Sequence, residues 1–535
     1  MKRFIYTITS LIVCMSLDSC DFLEQKPVDT IAPEDYYKTP EDIDNALTGI
    51  YSSLARSGLY QNNMMGKLGL SADIGFANYS SEKGTVTYNS VIANDTKIHT
   101  YWQDCYKGIE RANMMLKYIG SAEIEEDVKT DVIGQTLFLR SYFYLLLVTR
   151  FGDVPLILTA TESGNPEHVH IPRTDSRTVY QTIIKDLETA ADMIKDISEI
   201  PAVKGTRATK SAVWGMLARA CLYMAGEPLL EEGMYAKARE YASKVINSNH
   251  HKLNPSYEQV FINYIQDKYD IKESIFEVDF YGNGTGVYAN SAGQVGRNNG
   301  IKFSNVEVGE IGTSIGLLQS SDYYHKLFGP GDLRRDWTIA PFLYDDNGVK
   351  NYEDMSGIAW KLYCGKFRRE YELSSPKTGQ WTTINFPVLR YSDVLLMYAE
   401  SVAADISSTD GEFLMAKEYV NQVRRRGYGR ADLTAPDPEV DIDALSKDEL
   451  LEHIKVERAL ELGFEMLRKD DIIRWGEYYS RMQHVNGLAH MNSYTSSCYE
   501  SAREYYSNAS EKDVLWPIPS YEIGLNPELN QNKGW

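Results

Sequence analysis

Ala212-Val213-Trp214-Gly215-Met216-Leu217-Ala218-Arg219-Ala220-Cys221-Leu222-Tyr223-Met224-Ala225, followed by Tyr235-Ala236-Lys237-Ala238-Arg239-Glu240-Tyr241-Ala242-Ser243-Lys244-Val245-Ile246, decides how the chain folds. In the first stretch Trp214, Leu217, Ala218 and Leu222 share one face at helical spacing. In the second, Ala238, Ala242 and Val245 do the same, and their small side chains let two helix axes approach closely. The unit is a helical hairpin.

Working outward, the same period recurs. Glu41 to Leu54 carries Ile43, Leu47, Ile50 and Leu54 on one face, and Trp102 to Ile119 repeats the pattern through Tyr106, Ile109, Met114, Leu116 and Ile119. Asp131 to Thr149 is apolar almost all round, which predicts a buried central helix ended by Phe151-Gly152-Asp153-Val154-Pro155. Thr178 to Ile194 supplies another helix. A second hairpin pairs Val394–Ala404 with Phe413–Arg425, and a long helix is predicted from Asp448 to about Arg468. The hairpins resemble tetratricopeptide pairs without a strict repeat length. The expected fold class is therefore all-α, with long irregular loops and a few short strands. Ser274 to Phe280 alternates like one such strand. The scaffold is expected over about residues 35–265 and 390–480, and irregular segments over about 60–100 and 274–392. Irregular stretches of that length inside a compact protein usually carry function.

The ends and the composition bound the location. Lys2 and Arg3 precede a short apolar run from Phe4 to Met15, and Leu17-Asp18-Ser19-Cys20 follows. This pattern is similar to a bacterial lipobox, with residues 1–19 as signal peptide and Cys20 as the lipidated first residue; Asp18 departs from the usual small or apolar residue. A simple cleaved signal is the alternative. No second membrane segment is expected, since the apolar run Tyr142–Val148 is too short to span a bilayer. The net charge of −20 argues against nucleic acid as a partner. Cys105, Cys221, Cys364 and Cys498 have no metal-ligand spacing, and a disulfide among them stays open. Tyrosine is abundant, 38 against 16 phenylalanines, which suits surfaces that grip polar rings as well as ordinary helix packing.

Several motifs occur in a fixed order: Ser19-Cys20-Asp21-Phe22-Leu23, then Trp102, Tyr106, Ile109 and Arg111-Ala112-Asn113. Next come Phe138-Leu139-Arg140-Ser141-Tyr142-Phe143-Tyr144 and Phe151-Gly152-Asp153-Val154-Pro155-Leu156. Leu389-Arg390-Tyr391-Ser392-Asp393 and Val420-Asn421 with Arg424 and Arg426 follow. Glu457-Arg458 with Glu461-Leu462, Arg474-Trp475-Gly476, Leu515-Trp516-Pro517-Ile518-Pro519 and Asn530-Gln531-Asn532 close the series. Together they resemble the SusD/RagB family of surface nutrient-binding lipoproteins. Met466 and Lys469 depart from that family's usual glycine and aromatic. The resemblance implies one domain over residues 20–535, with four tetratricopeptide-like units and a ligand site on the irregular segments. It also implies an outer-membrane protein, lipid-anchored and facing the exterior, that serves a SusC-like TonB-dependent transporter as a hinged lid.

Candidate chemistry divides in two. Glu457, Glu461 and Glu465 lie one helical turn apart, as paired acid–base carboxylates might in a glycosidase, but the interleaved Arg458 and Arg468 favour ion pairing. His168-Val169-His170 and His250-His251 lack further ligands at metal-site spacing, and Gly282-Asn283-Gly284 has no helix behind it to hold a phosphate. No cofactor is expected; calcium alone stays open. The positive candidate is a sugar platform of aromatic rings and paired hydrogen-bonding groups. Asp73, Asn78, Tyr79, Tyr88 and Asn89 form its first group. Tyr281, Tyr288, Asn290, Arg297, Asn298 and Asn299 form the second, extended by Tyr323, Tyr324 and Trp337. The expected function is capture of an oligosaccharide or polysaccharide without catalysis; peptide capture and a tetratricopeptide-type protein adaptor are the other readings.

Overall fold

The computed structural model describes residues 36–161, 170–202, 204–282, 284, 291–352, 359–374, 377, 379–491 and 496–535. The signal segment and Cys20, together with His168, Tyr288 and Asn290, lie outside them.

Helices dominate. The first, α1 (Pro40–Leu54), starts at a capping box in which Thr39 and Asp42 exchange side-chain and backbone hydrogen bonds, with proline at the first turn. Asp95 caps α2 (Thr96–Tyr118) and Asp175 caps α4 (Ser176–Met193). Between them α3 (Glu126–Phe151) is long and apolar enough to cross a membrane, yet it is buried from Leu137 to Val148 as the core helix. It stops at Gly152, whose φ of 68° suits glycine. The hairpin read first is α5 (Lys210–Ala225) and α6 (Met234–Asn247). Then come α7 (Tyr257–Ile265), α8 (Tyr391–Ala404), α9 (Asp410–Gly427), α10 (Lys447–Leu462), α11 (Arg468–Arg474), α12 (Tyr478–Met491) and α13 (Ser497–Ser507).

Each helix from α1 to α6 packs on its successor; α6 then packs on α8, and α8 on α9 and α10. The pairs α1/α2, α3/α4, α5/α6 and α8/α9 thus stand side by side as four helical hairpins. Their shared core runs on into the irregular segments. Phe276 of β2 (Ser274–Val278) meets Phe138 of α3 edge-on at 5.1 Å, and Gly215 of α5 leaves room for Leu389 of β6 (Phe386–Arg390), against which any Cβ would collide. The antiparallel β2–β6 ribbon is buried on both faces, so the alternation expected at 274–280 carries no exposed side. Two smaller ribbons pair β1 (Gly75–Ala77) with β3 (Leu318–Ser320) and β4 (Phe342–Tyr344) with β5 (Lys350–Tyr352).

Two expectations need correction. The helix predicted from Asp448 to Arg468 ends at Leu462, and Phe464 and Met466 adopt left-handed φ of 61° and 64° before α11 begins. The helical part also extends past residue 480, through α12 and α13, and α7 was not foreseen.

Candidate ligand-binding face

The irregular segments assemble into one layer by backbone pairing. Asn78 N donates to Leu317 O at 2.9 Å, Leu317 N to Asn298 O at 2.9 Å, and Ile315 N to Arg297 O at 2.9 Å. Bridges link Phe303 to Ser314, Gly293 to Thr382 and Gln319 to Tyr363. Stretches more than two hundred residues apart in sequence therefore lie edge to edge.

Most of the residues proposed from sequence turn inward. Asp73 is fully buried and accepts from Arg468 Nε and Nη2 at 2.8 and 2.9 Å. The Tyr88 hydroxyl accepts from Tyr79 N at 2.9 Å. Asn89, at φ 55°, closes the turn 86–88 and donates to Tyr505 O. Asn298 donates to Asn62 Oδ1 and Asn299 to Met65 O. Tyr324 donates to Ala459 O at 2.9 Å, and Trp337 is covered by the Arg368 guanidinium at 4.4 Å. Tyr323 is half-buried, its hydroxyl taken by Arg481. For Tyr88, Asn89, Asn298, Asn299 and Tyr324 the physical reason is shared: a long layer without regular secondary structure must satisfy its own backbone, and Asn and Tyr side chains do that work. Asp73 and Tyr323 are taken by arginines instead, and Trp337 packs under one. These buried groups present no surface to a ligand.

What remains at the surface is a smaller set. Tyr79 is 36% and Tyr281 61% exposed; Asn78 and Arg297 are half-buried. Asn78 is held in place, donating to Gln319 Oε1 at 2.7 Å and accepting from Ser501 Oγ at 2.9 Å. A cleft of about 210 Å³ lies in the same layer, lined by Lys302, Phe303, Asn305, Tyr344 and Tyr363 among others. It is smaller than the roughly 300–1,000 Å³ of enclosed small-molecule pockets, so it is a shallow surface cleft. Sequence reasoning missed it because its sides come from strands that pair only in three dimensions. A larger cleft of about 680 Å³ opens among α3, α4, α12 and the C-terminal tail. Several of its polar groups are engaged: Arg173 donates to Asp153 O and Asn530, and Asp470 pairs with Arg150.

The carboxylate stripe of α10 is structural. Glu457 accepts from Arg334 at 2.6 Å and Arg424 at 3.0 Å; Glu465 accepts from Lys366 at 2.6 Å and Arg390 at 2.8 Å. Glu461 accepts from Arg426 at 2.5 Å and Arg390 at 2.9 Å, with Arg334 at 3.4 Å. Burial alone would raise the Glu461 carboxyl, yet Arg426, Arg390 and Arg334 together hold it well below the usual carboxylate range. Such a group has no proton to donate near neutral pH. Since Arg334, Lys366 and Arg390 come from the irregular layer, the stripe anchors that layer to the helices. Among the described residues, no group of three or more His, Cys, Asp or Glu could hold a metal ion, and all four cysteines, Cys105, Cys221, Cys364 and Cys498, are free and buried.

Comparison with known proteins agrees with this architecture. A model of the SusD family matches residues 343–535, and one described as starch-binding, associating with the outer membrane, matches residues 21–222. The chain is SusD-like in both of these stretches. A SusD-like protein, P2, of Formosa agariphila is 28% identical over 99% of both chains. The starch-binding protein SusD of Bacteroides thetaiotaomicron is 24% identical over 74% of this chain and 72% of its own. A crystal structure of a SusD homologue from Bacteroides thetaiotaomicron superposes with a TM-score of 0.83 at 26% identity, covering 96% of this chain and 99% of that one. SusD-like architecture thus accounts for the helical hairpins and for the layer they carry.

Proposed function

We propose that this SusD-like protein captures an oligosaccharide at the outer-membrane surface and passes it to a TonB-dependent transporter, without chemistry of its own. The observation that carries the reading is the placing of Tyr79 and Tyr281 at the surface of one layer with Asn78 and Arg297. Exposed rings take the apolar faces of sugars, and side-chain amide and guanidinium groups take the hydroxyls. The starch-binding relative and the outer-membrane description of the matching family support the ligand class and the location. A lipid on Cys20 would hold the protein at the membrane, facing outward. The engaged carboxylates of α10 give no support to hydrolysis.

Calorimetric titration of the purified protein with a panel of oligosaccharides tests the ligand. Binding should appear for at least one glycan, and Tyr79→Ala and Tyr281→Ala should each weaken it about two- to tenfold. Flat heats for every glycan, with heat from a peptide library instead, would replace glycan by peptide. Co-purification from native membranes tests the transporter: its absence from the captured material would remove the delivery step.

A further inference from the structure

Around the segment Ile315–Gln319 three cations stand without an ion-pair partner among the described residues. Arg297 gives its carbonyl to Ile315 N. Lys302 lies against Gly316, whose left-handed φ of 58° and lack of a Cβ allow the approach. Lys361 gives its carbonyl to Gln319 Nε2 at 2.9 Å. Lys302 is exposed, and Arg297 and Lys361 are half-buried. None of the three side chains makes a hydrogen bond or ion pair among the described residues.

The acids close by are already engaged. Glu82 is paired to Lys97 at 2.8 Å and Lys67 at 3.5 Å. Asp345 accepts from Asn347 N and Val349 N of its own turn, and Glu370 is held by Lys350 and Tyr344. Asp345 and Asp346 both line the cleft beside Lys302, and backbone hydrogen bonds leave the charge of Asp345 in place, so the three cations exceed these two carboxylates by one. In a chain of net charge −20, three cations without an ion-pair partner next to Asn78 and Tyr79 are out of character. A half-desolvated guanidinium left unpaired is a poor choice for stability and a good one for an anion, which it meets with two parallel N–H donors.

Building on the glycan capture proposed above, we infer that the cargo is an anionic glycan, bearing the carboxylates of uronic acids or sulfate esters. Arg297 reads the anion as a fork, while Lys302 and Lys361 act as point charges.

Matched pairs separate charge from sugar: oligogalacturonate against its fully methyl-esterified form, and dextran sulfate against dextran. The anionic member of one pair should bind about tenfold or more tightly than its neutral twin, and which pair responds distinguishes carboxylate from sulfate. The advantage should shrink as salt rises from about 0.05 to about 0.5 M. Arg297→Gln should remove most of it and Arg297→Lys only part, with melting temperatures unchanged as the check on folding. Equal binding of charged and neutral twins, or full retention in the triple variant Arg297→Gln, Lys302→Gln, Lys361→Gln, overturns the inference while glycan capture stands. Polyphosphate bound as tightly as the sugar polyanion overturns it too, by reducing the face to a general anion patch. Silence from both members of both pairs, and from the neutral panel, removes glycan capture itself.

Discussion

Asp393 and Glu277 are both fully buried carboxyls, and their surroundings push them in opposite directions. Burial would raise Asp393, but Arg458 at 2.8 Å and Arg219 at 2.6 Å hold it down to about 2. Its contribution to stability is present above the unfolded value near 4 and disappears as pH falls through 2. Glu277 has no cation: burial pushes it up to about 7, against hydrogen bonds from Ser274 Oγ and Asn385 Nδ2. Stability from that group is complete below its unfolded value of about 4.5 and is lost as pH rises through 7, a swing of about 3 kcal/mol. Glu277→Gln should therefore raise the denaturation midpoint at pH 8 and leave it nearly unchanged at pH 4; an equal shift at both would refute the assignment. Glu461→Ala takes one carboxylate from three buried arginines, leaving Arg426 only the longer contact to Glu273 while Arg334 and Arg390 keep other partners, and should lose about 3–5 kcal/mol in chemical denaturation. The stripe Glu457, Glu461, Glu465 and its structural role were legible from spacing. Its partners Arg334, Lys366 and Arg390 were not, because they reach α10 from far along the chain. Nor could sequence distinguish Tyr79, which faces solvent, from Tyr88, which bonds Tyr79's own amide: the same residue type serves both purposes.

At the scale of elements, the joint between α10 and α11 shows two glycine arguments, one adding a Cβ and one removing a side chain, that both predict a loss. Gly463 lies directly under the Tyr324 hydroxyl, and an added Cβ would fall within 1.9 Å of it. Gly463→Ala should displace that ring from its bond to Ala459 and destabilise by about 1–3 kcal/mol, measurable by thermal denaturation. Met466 holds a left-handed φ where the resembled family has glycine. Relief of that strain by Met466→Gly is worth about 1–2 kcal/mol, whereas emptying a buried methionine site removes about 2–5. The variant should be less stable than the parent, and a gain in melting temperature would show that backbone strain outweighs packing here. The break was hidden in the sequence since the charged and apolar period runs on past Leu462, whereas in the fold the Tyr324 hydroxyl from the irregular layer occupies the space beside Gly463. Helix α13 is hidden for another reason: its inward face, Cys498, Ala502 and Tyr505, is partly carried by tyrosine, a residue type that suits ligand surfaces and helix packing alike.

Over the whole molecule one hydrophobic core joins helices and layer, from Ile43 in α1 through Leu317 and Phe367 to Trp516 near the end. The two parts should therefore unfold together. Scanning calorimetry should give a single cooperative transition; two resolved peaks would mean that the layer melts independently. The layer is fastened by Arg334 and Arg390 against α10, by Lys366 against Glu465 just beyond its end, and by Asp73 against Arg468 of α11. None of these fasteners is among the surface groups Tyr79, Tyr281 and Arg297; Asn78 alone serves both ends, tying Gln319 to Ser501 of α13. Frame and display are thus written almost wholly in different residues. Randomising those display positions in a combinatorial library should yield mostly folded proteins with altered tastes, which makes the molecule a scaffold on which new sugar preferences can be selected without rebuilding it.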